Sequence, residues 1–270
     1  MSNPILKGKR GIIFGALDEK SIAWITALKC HEAGAQIVLS NAPVAMRMGE
    51  INKLAEKISA PVIACDVSNG DDVENLIQKT MEHFGGSFDF ILHSIGMSLN
   101  VRKGKHYTEI DYTHNLKTLE ISSMSLHRVL ACCMKHDALN EWGSVVALSY
   151  IAAQRIFPDY NEMADAKALL ESVARSFGYH YGAKKKVRIN TISQSPTRTT
   201  AGSGVKGFDG FISYAESMSP LGNATAEDCA NYIVAMFSDY TRMVTMQNLF
   251  HDGGFSFTGV TNKVIEQMEK

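Results

Sequence analysis

The chain has 270 residues, 45% hydrophobic and 20% charged. That is ample apolar material for a large core, and it excludes a disordered chain. Lys and Arg number 27 against 28 Asp and Glu, for a net charge of -1, so there is no basic surplus to mark a nucleic-acid partner.

Short apolar runs alternate with longer amphipathic stretches along the chain. A strand is predicted over residues 11–16, a helix over 21–33, a strand over 35–40 and a helix over 45–58. The next pair is a strand over 61–66 and a helix over 71–84, then a strand over 88–95 and a long helical stretch within 107–136. Strands over 144–150 and 187–193 flank a helix over 161–181, and a helix over 226–238 precedes a last strand over 247–252. Thr225 and Asp228 have the spacing of a capping box. The strands are rich in Val, Ile, Leu and Phe and mostly lack strict alternation, as strands buried on both faces of a parallel sheet do. Repeated strand–helix units with right-handed crossovers predict one α/β domain over 1–270: a Rossmann-type, doubly wound, seven-stranded parallel sheet with helices on both faces. One stretch is surplus to that plan. Residues 196–219, with Gly202, Gly204, Gly207 and Gly210, are predicted to form a substrate-binding lid, mobile over 199–210 without ligand.

The five cysteines are irregularly spaced, with no Cys-x-x-Cys pair, which predicts free thiols in a reducing compartment. No apolar run reaches transmembrane length, and residues 1–10 hold no signal-peptide core. A soluble, cytoplasmic protein without membrane contact is expected. The nine histidines show no metal-binding motif, and no metal is expected.

The first strand ends at Phe14-Gly15-Ala16, and Ser21-Ile22-Ala23 opens the helix after it. A small residue for close backbone approach, then free N–H groups at a helix start, suit a dinucleotide pyrophosphate. A tight turn with Ser21 as N-cap uses the same residues, and the usual Gly-x-Gly-x-x-Gly is absent. Ligands of this topology sit beyond the carboxyl ends of the strands. Asp66 and Val67 end the third strand and Ser94-Ile95-Gly96 the fourth, which makes them candidates for adenine and ribose contacts. The second strand ends in Ser40-Asn41-Ala42, with neither the acid that grips a ribose 2′-hydroxyl nor the Arg that receives a 2′-phosphate. The choice between NADH and NADPH stays open on this reading.

Tyr150 ends the fifth strand, and Tyr160 precedes a helix carrying Lys167. Seven residues are about two helical turns, which predicts Tyr160 and Lys167 on nearly one face. A phenol beside an ammonium suits hydride transfer: the phenol hydrogen-bonds a developing oxyanion, and the ammonium holds ribose hydroxyls. Tyr181 and Lys185 have a similar spacing but fall at the wrong end of the sheet.

In these motifs the chain resembles the short-chain dehydrogenase/reductase superfamily, and within it the NADH-type enoyl-(acyl-carrier-protein) reductase family. The likeness rests on Gly15 with Ser21-Ile22-Ala23, Cys65-Asp66-Val67, His93-Ser94-Ile95-Gly96, Leu148-Ser149-Tyr150, Tyr160-Asn161 with Met163 and Lys167, Val187-Arg188 with Asn190, Pro196 with Arg198-Thr199, and His251 to Ser256. The widened Tyr-x6-Lys with a second tyrosine ten residues upstream is its most specific part. The resemblance implies reduction of the trans-2 double bond of an enoyl thioester on acyl carrier protein, the last step of the fatty acid elongation cycle. It implies NADH, with NADPH possible, as cofactor. It assigns catalysis to Tyr150, Tyr160 and Lys167, cofactor contacts also to Pro196, Thr197 and Thr199, and substrate contacts to Ser98, Tyr150, Tyr160 and Met163. Met163, Phe208, Ile212 and Met218 are candidates for an apolar wall. A homotetramer is implied, with Phe250 and residues 255–257 as candidate interface. Departures are Ser195 where Gly often stands, Ala42 where Gln is usual, and acids in Leu17-Asp18-Glu19-Lys20. Lys206 is followed by Gly207-Phe208-Asp209 where a basic carrier-docking cluster is usual, which points docking to Lys184-Lys185-Lys186 instead. The alternatives are another short-chain reductase acting on a carbonyl, and a dinucleotide-binding module without catalysis.

Overall fold

The computed structural model describes residues 4–200 and 207–269. β1 (Arg10–Phe14), α1 (Ile22–Glu32), β2 (Gln36–Asn41), α2 (Pro43–Met48), α3 (Ile51–Ile58) and β3 (Val62–Ala64) come first. α4 (Gly70–Phe84), β4 (Phe88–His93), α5 (Leu99–Arg102), α6 (Tyr112–Leu119), α7 (Ser125–Lys135) and β5 (Leu139–Ser149) follow. α8 (Glu162–Lys185), β6 (Arg188–Gln194), α9 (Phe208–Met218), α10 (Ala226–Phe237), β7 (Asn248–His251) and α11 (Asn262–Met268) complete the described chain.

The seven strands form one parallel sheet in the order β3-β2-β1-β4-β5-β6-β7. The order reverses between β1 and β4, which opens a crevice at the carboxyl ends of these strands. Alternate strand residues feed two cores, because successive side chains point to opposite faces. Ile12, Phe14, Ile91, Val145 and Ala147 pack with α4, α7 and α8. Ile13, Phe90, Leu92 and Val146 pack with α1, α3 and α10. The seven predicted strands are all present, and α9 and α10 are the two helices between the last two strands.

The helices include α5 and α11, which the sequence reading does not contain, and they differ from it in two further places. The stretch 45–58 is two helices, broken at Gly49. A Cβ there would lie 2.8 Å from the carbonyl oxygen of Leu17, which accepts the Glu50 N–H at 2.8 Å. The chain turns at Gly49 because the loop after β1 presses on it. The stretch 107–136 holds a 3-10 turn, α6, a π turn at Glu120–Met124, and α7. The π turn frees the Ile121 carbonyl to accept from Ser125 Oγ at 2.6 Å. The capping box is present: Thr225 Oγ1 accepts from Asp228 N–H, and the Asp228 carboxylate accepts from Thr225 N–H. All five cysteines are free thiols. No helix among the described residues is long and apolar enough to cross a membrane.

Candidate active site

A cavity of about 470 Å³ opens where β1, β4, β5 and β6 end. Gly15, Ser21, Ile22, Ser94, Ile95, Gly96, Ser98, Tyr150, Tyr160, Met163, Lys167, Pro196, Thr197 and Thr199 all line it. Asp66 and Val67 do not. Asp66 is exposed and accepts from the Ser68 N–H at 2.9 Å and the Ser68 hydroxyl at 2.7 Å, while Val67 packs in the core.

Gly15 has φ +93°, and a Cβ on it would lie 2.0 Å from the Ser94 carbonyl oxygen. Only glycine lets β1 turn this tightly against the end of β4. Ser21 is the N-cap of α1, yet its hydroxyl does not cap the helix. It accepts from Leu17 N–H at 3.3 Å and donates to the Asp18 carbonyl at 2.8 Å. The first turn of α1 also holds no acid, which leaves the positive end of the helix for an anion. The Asp18 carboxylate accepts from Lys20 N–H and from Thr200 Oγ1. Asn41 donates to the Ala16 carbonyl at 2.9 Å and lines the same cavity, whereas Arg47 is exposed on α2.

The two tyrosines meet at 5.1 Å between ring centroids. Tyr160 is not on α8. It closes a 3-10 turn at Pro158–Tyr160, and Asn161 follows at φ +47°, ψ -139°. Two helical turns therefore do not place Tyr160 beside Lys167. Both line one cavity across a strained residue, Asn161, whose amide donates to the Lys105 carbonyl. The Tyr150 hydroxyl is buried without a hydrogen-bond partner among the described residues. Burial pushes both phenols well above their ordinary pKa, with Tyr160 adding to the shift of Tyr150, so both are protonated donors at neutral pH.

Lys167 is buried, and its ammonium donates to the Leu148 carbonyl at 2.6 Å. Burial lowers its pKa to about 8, and Glu171 one turn along opposes that shift. Glu171 itself accepts from Ser149 Oγ at 2.7 Å. Behind the lysine, fully buried His93 is pushed down to about 3 by burial and then by Lys167. Ser125 spends its proton on Ile121, so the 2.8 Å contact to His93 is an Nε2–H donation.

Phe157, Phe211 and Phe255 pack around Tyr150 and Tyr160. Of the apolar wall candidates, Met163 and Phe208 reach the cavity; Ile212 and Met218 do not, and Phe211 takes their place. Ser98 caps α5 by accepting from Val101 N–H at 3.0 Å and donates to Glu162 at 2.5 Å. Glu162 is fully buried and also accepts from Thr118 at 3.2 Å. It ties the cavity wall at Ser98 to the start of α8. Ser195, the departure before Pro196, uses its hydroxyl to accept the Ala224 N–H at 3.0 Å.

Lys185 and Lys186 pair with Asp137 and Glu141. They sit at the end of the 24-residue α8, whose first turns line the cavity. At 1.5 Å per residue that helix separates them from the cavity by roughly 30 Å, too far to dock a carrier at its mouth. Tyr181 is fully buried in the core and does not line the cavity. Lys206, Gly202 and Gly204, and part of the predicted mobile stretch, lie outside the described residues.

Known proteins are similar to this chain over most of its length. A family model described as enoyl-(acyl carrier protein) reductase matches residues 15–256. A curated enoyl-(acyl-carrier-protein) reductase (NADH) FabI of Rickettsia bellii is 31% identical, over 98% of this chain and 100% of its own length. The crystal structure of a FabI–NADH complex from Alistipes finegoldii is 61% identical, with a TM-score of 0.95, over 96% of this chain and 92% of that one. An Aquifex aeolicus enoyl-(acyl-carrier-protein) reductase (NADH) structure is 32% identical, with a TM-score of 0.87, over 95% of this chain and 100% of that one. With a family model spanning most of its length and relatives matched end to end, the chain belongs to the enoyl-(acyl-carrier-protein) reductase family.

Proposed function

We propose that this reductase reduces the trans-2 double bond of enoyl thioesters on acyl carrier protein, with Tyr160, Lys167 and Tyr150 as its catalytic residues. The observation that carries the reading is the convergence of those three side chains on one cavity whose other wall is the Gly15–Ser21 turn. The residues fit a dinucleotide: the uncapped start of α1 suits a pyrophosphate, Gly96 leaves backbone room, and Lys167 lines the same cavity. Asn41 stands where an acid or an arginine would mark the choice, and the relatives named for NADH favour that cofactor. NADH, when bound, supplies the hydride that reaches the β-carbon of the enoyl group.

Tyr160, held protonated by burial, donates to the thioester oxygen as enolate charge develops there. Lys167 holds ribose hydroxyls and adds positive charge near that oxygen. Tyr150, with no partner of its own, is free to orient the acyl thioester from the other side. Met163, Phe208 and Phe211 exclude water, so each of these hydrogen bonds counts for more than it would in solution. The α-carbon then takes a proton from solvent. Of the predicted lid, the described residues 196–200 and α9 border this pocket, and α9 brings Phe208 and Phe211 into place.

The test is oxidation of NADH or NADPH by a trans-2-enoyl thioester, with a simple ketone as control. Thioester-dependent turnover is expected, at least tenfold faster with NADH in kcat/KM. Turnover of the ketone alone would point to a carbonyl reductase, and cofactor binding without turnover to a non-catalytic module. A homotetramer in the cytoplasm is the further part of this reading. Its support is the edge strand β7 and Phe257, 84% exposed beside Phe250. Sedimentation is expected to give four times the chain mass, and a monomer at working concentration would refute it.

A further inference from the structure

On the sheet face that carries α4, α7 and α8, three side chains outside the cavity come together. Glu74 on α4, Cys132 on α7 and His136 at the end of α7 place one ligand atom each within 4.8 Å of one another. Cys132 and His136 are one helical turn apart, so their side chains share a face. His136 Nε2 is already 3.0 Å from Glu74 Oε1. In a tetrahedral zinc site, a nitrogen–oxygen edge is about 3.3 Å and an edge to sulfur about 3.6 Å. Closing the triad on an ion therefore asks for side-chain shifts of about 1 Å and no movement of the helices.

The carboxylate of this triad already holds a cation. Lys135 Nζ donates to both Glu74 oxygens, at 2.8 and 2.9 Å. That lysine is 63% exposed, so it can swing into water when a divalent ion takes its place. The donor set also says which ion. A thiolate with an imidazole and one carboxylate favours a borderline-soft metal over Mg²⁺ or Ca²⁺, which prefer oxygen ligands. Half-burial of all three residues leaves the fourth position open to water.

We propose that Glu74, Cys132 and His136 form a binding site for a zinc-class divalent cation that ties α4 to α7. None of the three lines the catalytic cavity, so the site stands whether or not the reading of that cavity does. A linear motif search misses it because the Cys-x3-His pair is incomplete until α4 packs against it.

The test is titration of the full chain with Co²⁺, then competition by Zn²⁺, followed by absorbance. One equivalent is expected to give a thiolate-to-cobalt charge-transfer band and the visible bands of a tetrahedral ion. Zn²⁺ is expected to abolish both. Cys132→Ser is expected to remove the charge-transfer band, and His136→Gln and Glu74→Gln each to weaken binding at least tenfold. Lys135→Met, which removes the competing cation and leaves the ligands in place, is expected to tighten binding severalfold. Enoyl thioester turnover of the metal-free variants is expected to match the parent, which confirms that they fold. Cobalt bound without a charge-transfer band would overturn the proposal. So would equal affinity in Cys132→Ser, or weaker binding in Lys135→Met.

Discussion

Tyr160→Phe is expected to lower kcat with an enoyl thioester by about a hundredfold, or roughly 2.7 kcal/mol of transition-state stabilisation, while NADH affinity changes less than twofold. The phenol is asked to do one thing: donate to an oxygen whose negative charge grows as hydride arrives at the β-carbon. A hydrogen bond made mainly in the transition state appears in kcat rather than in KM. Phenylalanine keeps the ring that packs 5.1 Å from Tyr150, so the pocket keeps its shape and only the donor is lost. Tyr150→Phe is the comparison. Its hydroxyl has no hydrogen-bond partner among the described residues, so its removal orphans none of them and its effect reports contact with substrate. Steady-state kinetics with NADH titrated by fluorescence separates the two terms. An unchanged kcat in Tyr160→Phe would remove the oxyanion role from this residue and leave Tyr150 as the donor.

The parts of this molecule that depend on local pattern were legible in its sequence. Runs such as residues 88–95 and 144–150 are apolar on both sides because helices cover both faces of the sheet, and that alone identifies buried parallel strands. The break at Gly49 was not legible, because its cause is the Leu17 carbonyl, which lies far along the chain. Tyr150, Tyr160 and Lys167 could be picked out by spacing, but the reason for their juxtaposition could not. It lies in the φ of Asn161, and an asparagine before a helix usually signals an ordinary cap. Glu162 and Glu171 were missed for a related reason. An acid in the first turn of a helix reads as favourable to the dipole, and one a turn after a lysine reads as a surface pair. Both are in fact buried, one holding Ser98 and the other holding Ser149 below Lys167. Asp66 shows a different limit: a carboxylate at a strand end reads as a ligand contact, and here it accepts from Ser68 and lies outside the cavity lining.

Lys167 should make the enzyme sensitive to alkaline pH. Its pKa in the fold is about 8, against an ordinary 10.5. The ammonium is present below that value and lost above it, so kcat/KM for NADH is expected to fall about tenfold per pH unit above roughly 8. An anionic cofactor beside the ammonium favours the charged form, so the fall in kcat should come at higher pH than the fall in kcat/KM. Unfolding through this group does not explain such a loss. Between pH 8 and 10.5 the unfolded chain keeps a proton that the folded chain has released, so the lysine adds stability as pH rises through that window. Glu171 supplies the sharper test, because its charge is what holds the lysine pKa up. Glu171→Gln keeps an oxygen for the Ser149 hydroxyl and removes the charge, so the alkaline limb is expected to move to lower pH. Lys167→Met is expected to cost NADH affinity about thirtyfold, or roughly 2 kcal/mol for lost charge-assisted hydrogen bonds, and to abolish the limb altogether. An alkaline limb that persists in Lys167→Met, or one that Glu171→Gln moves upward, would assign the titration to another group and leave Lys167 a purely structural donor to Leu148.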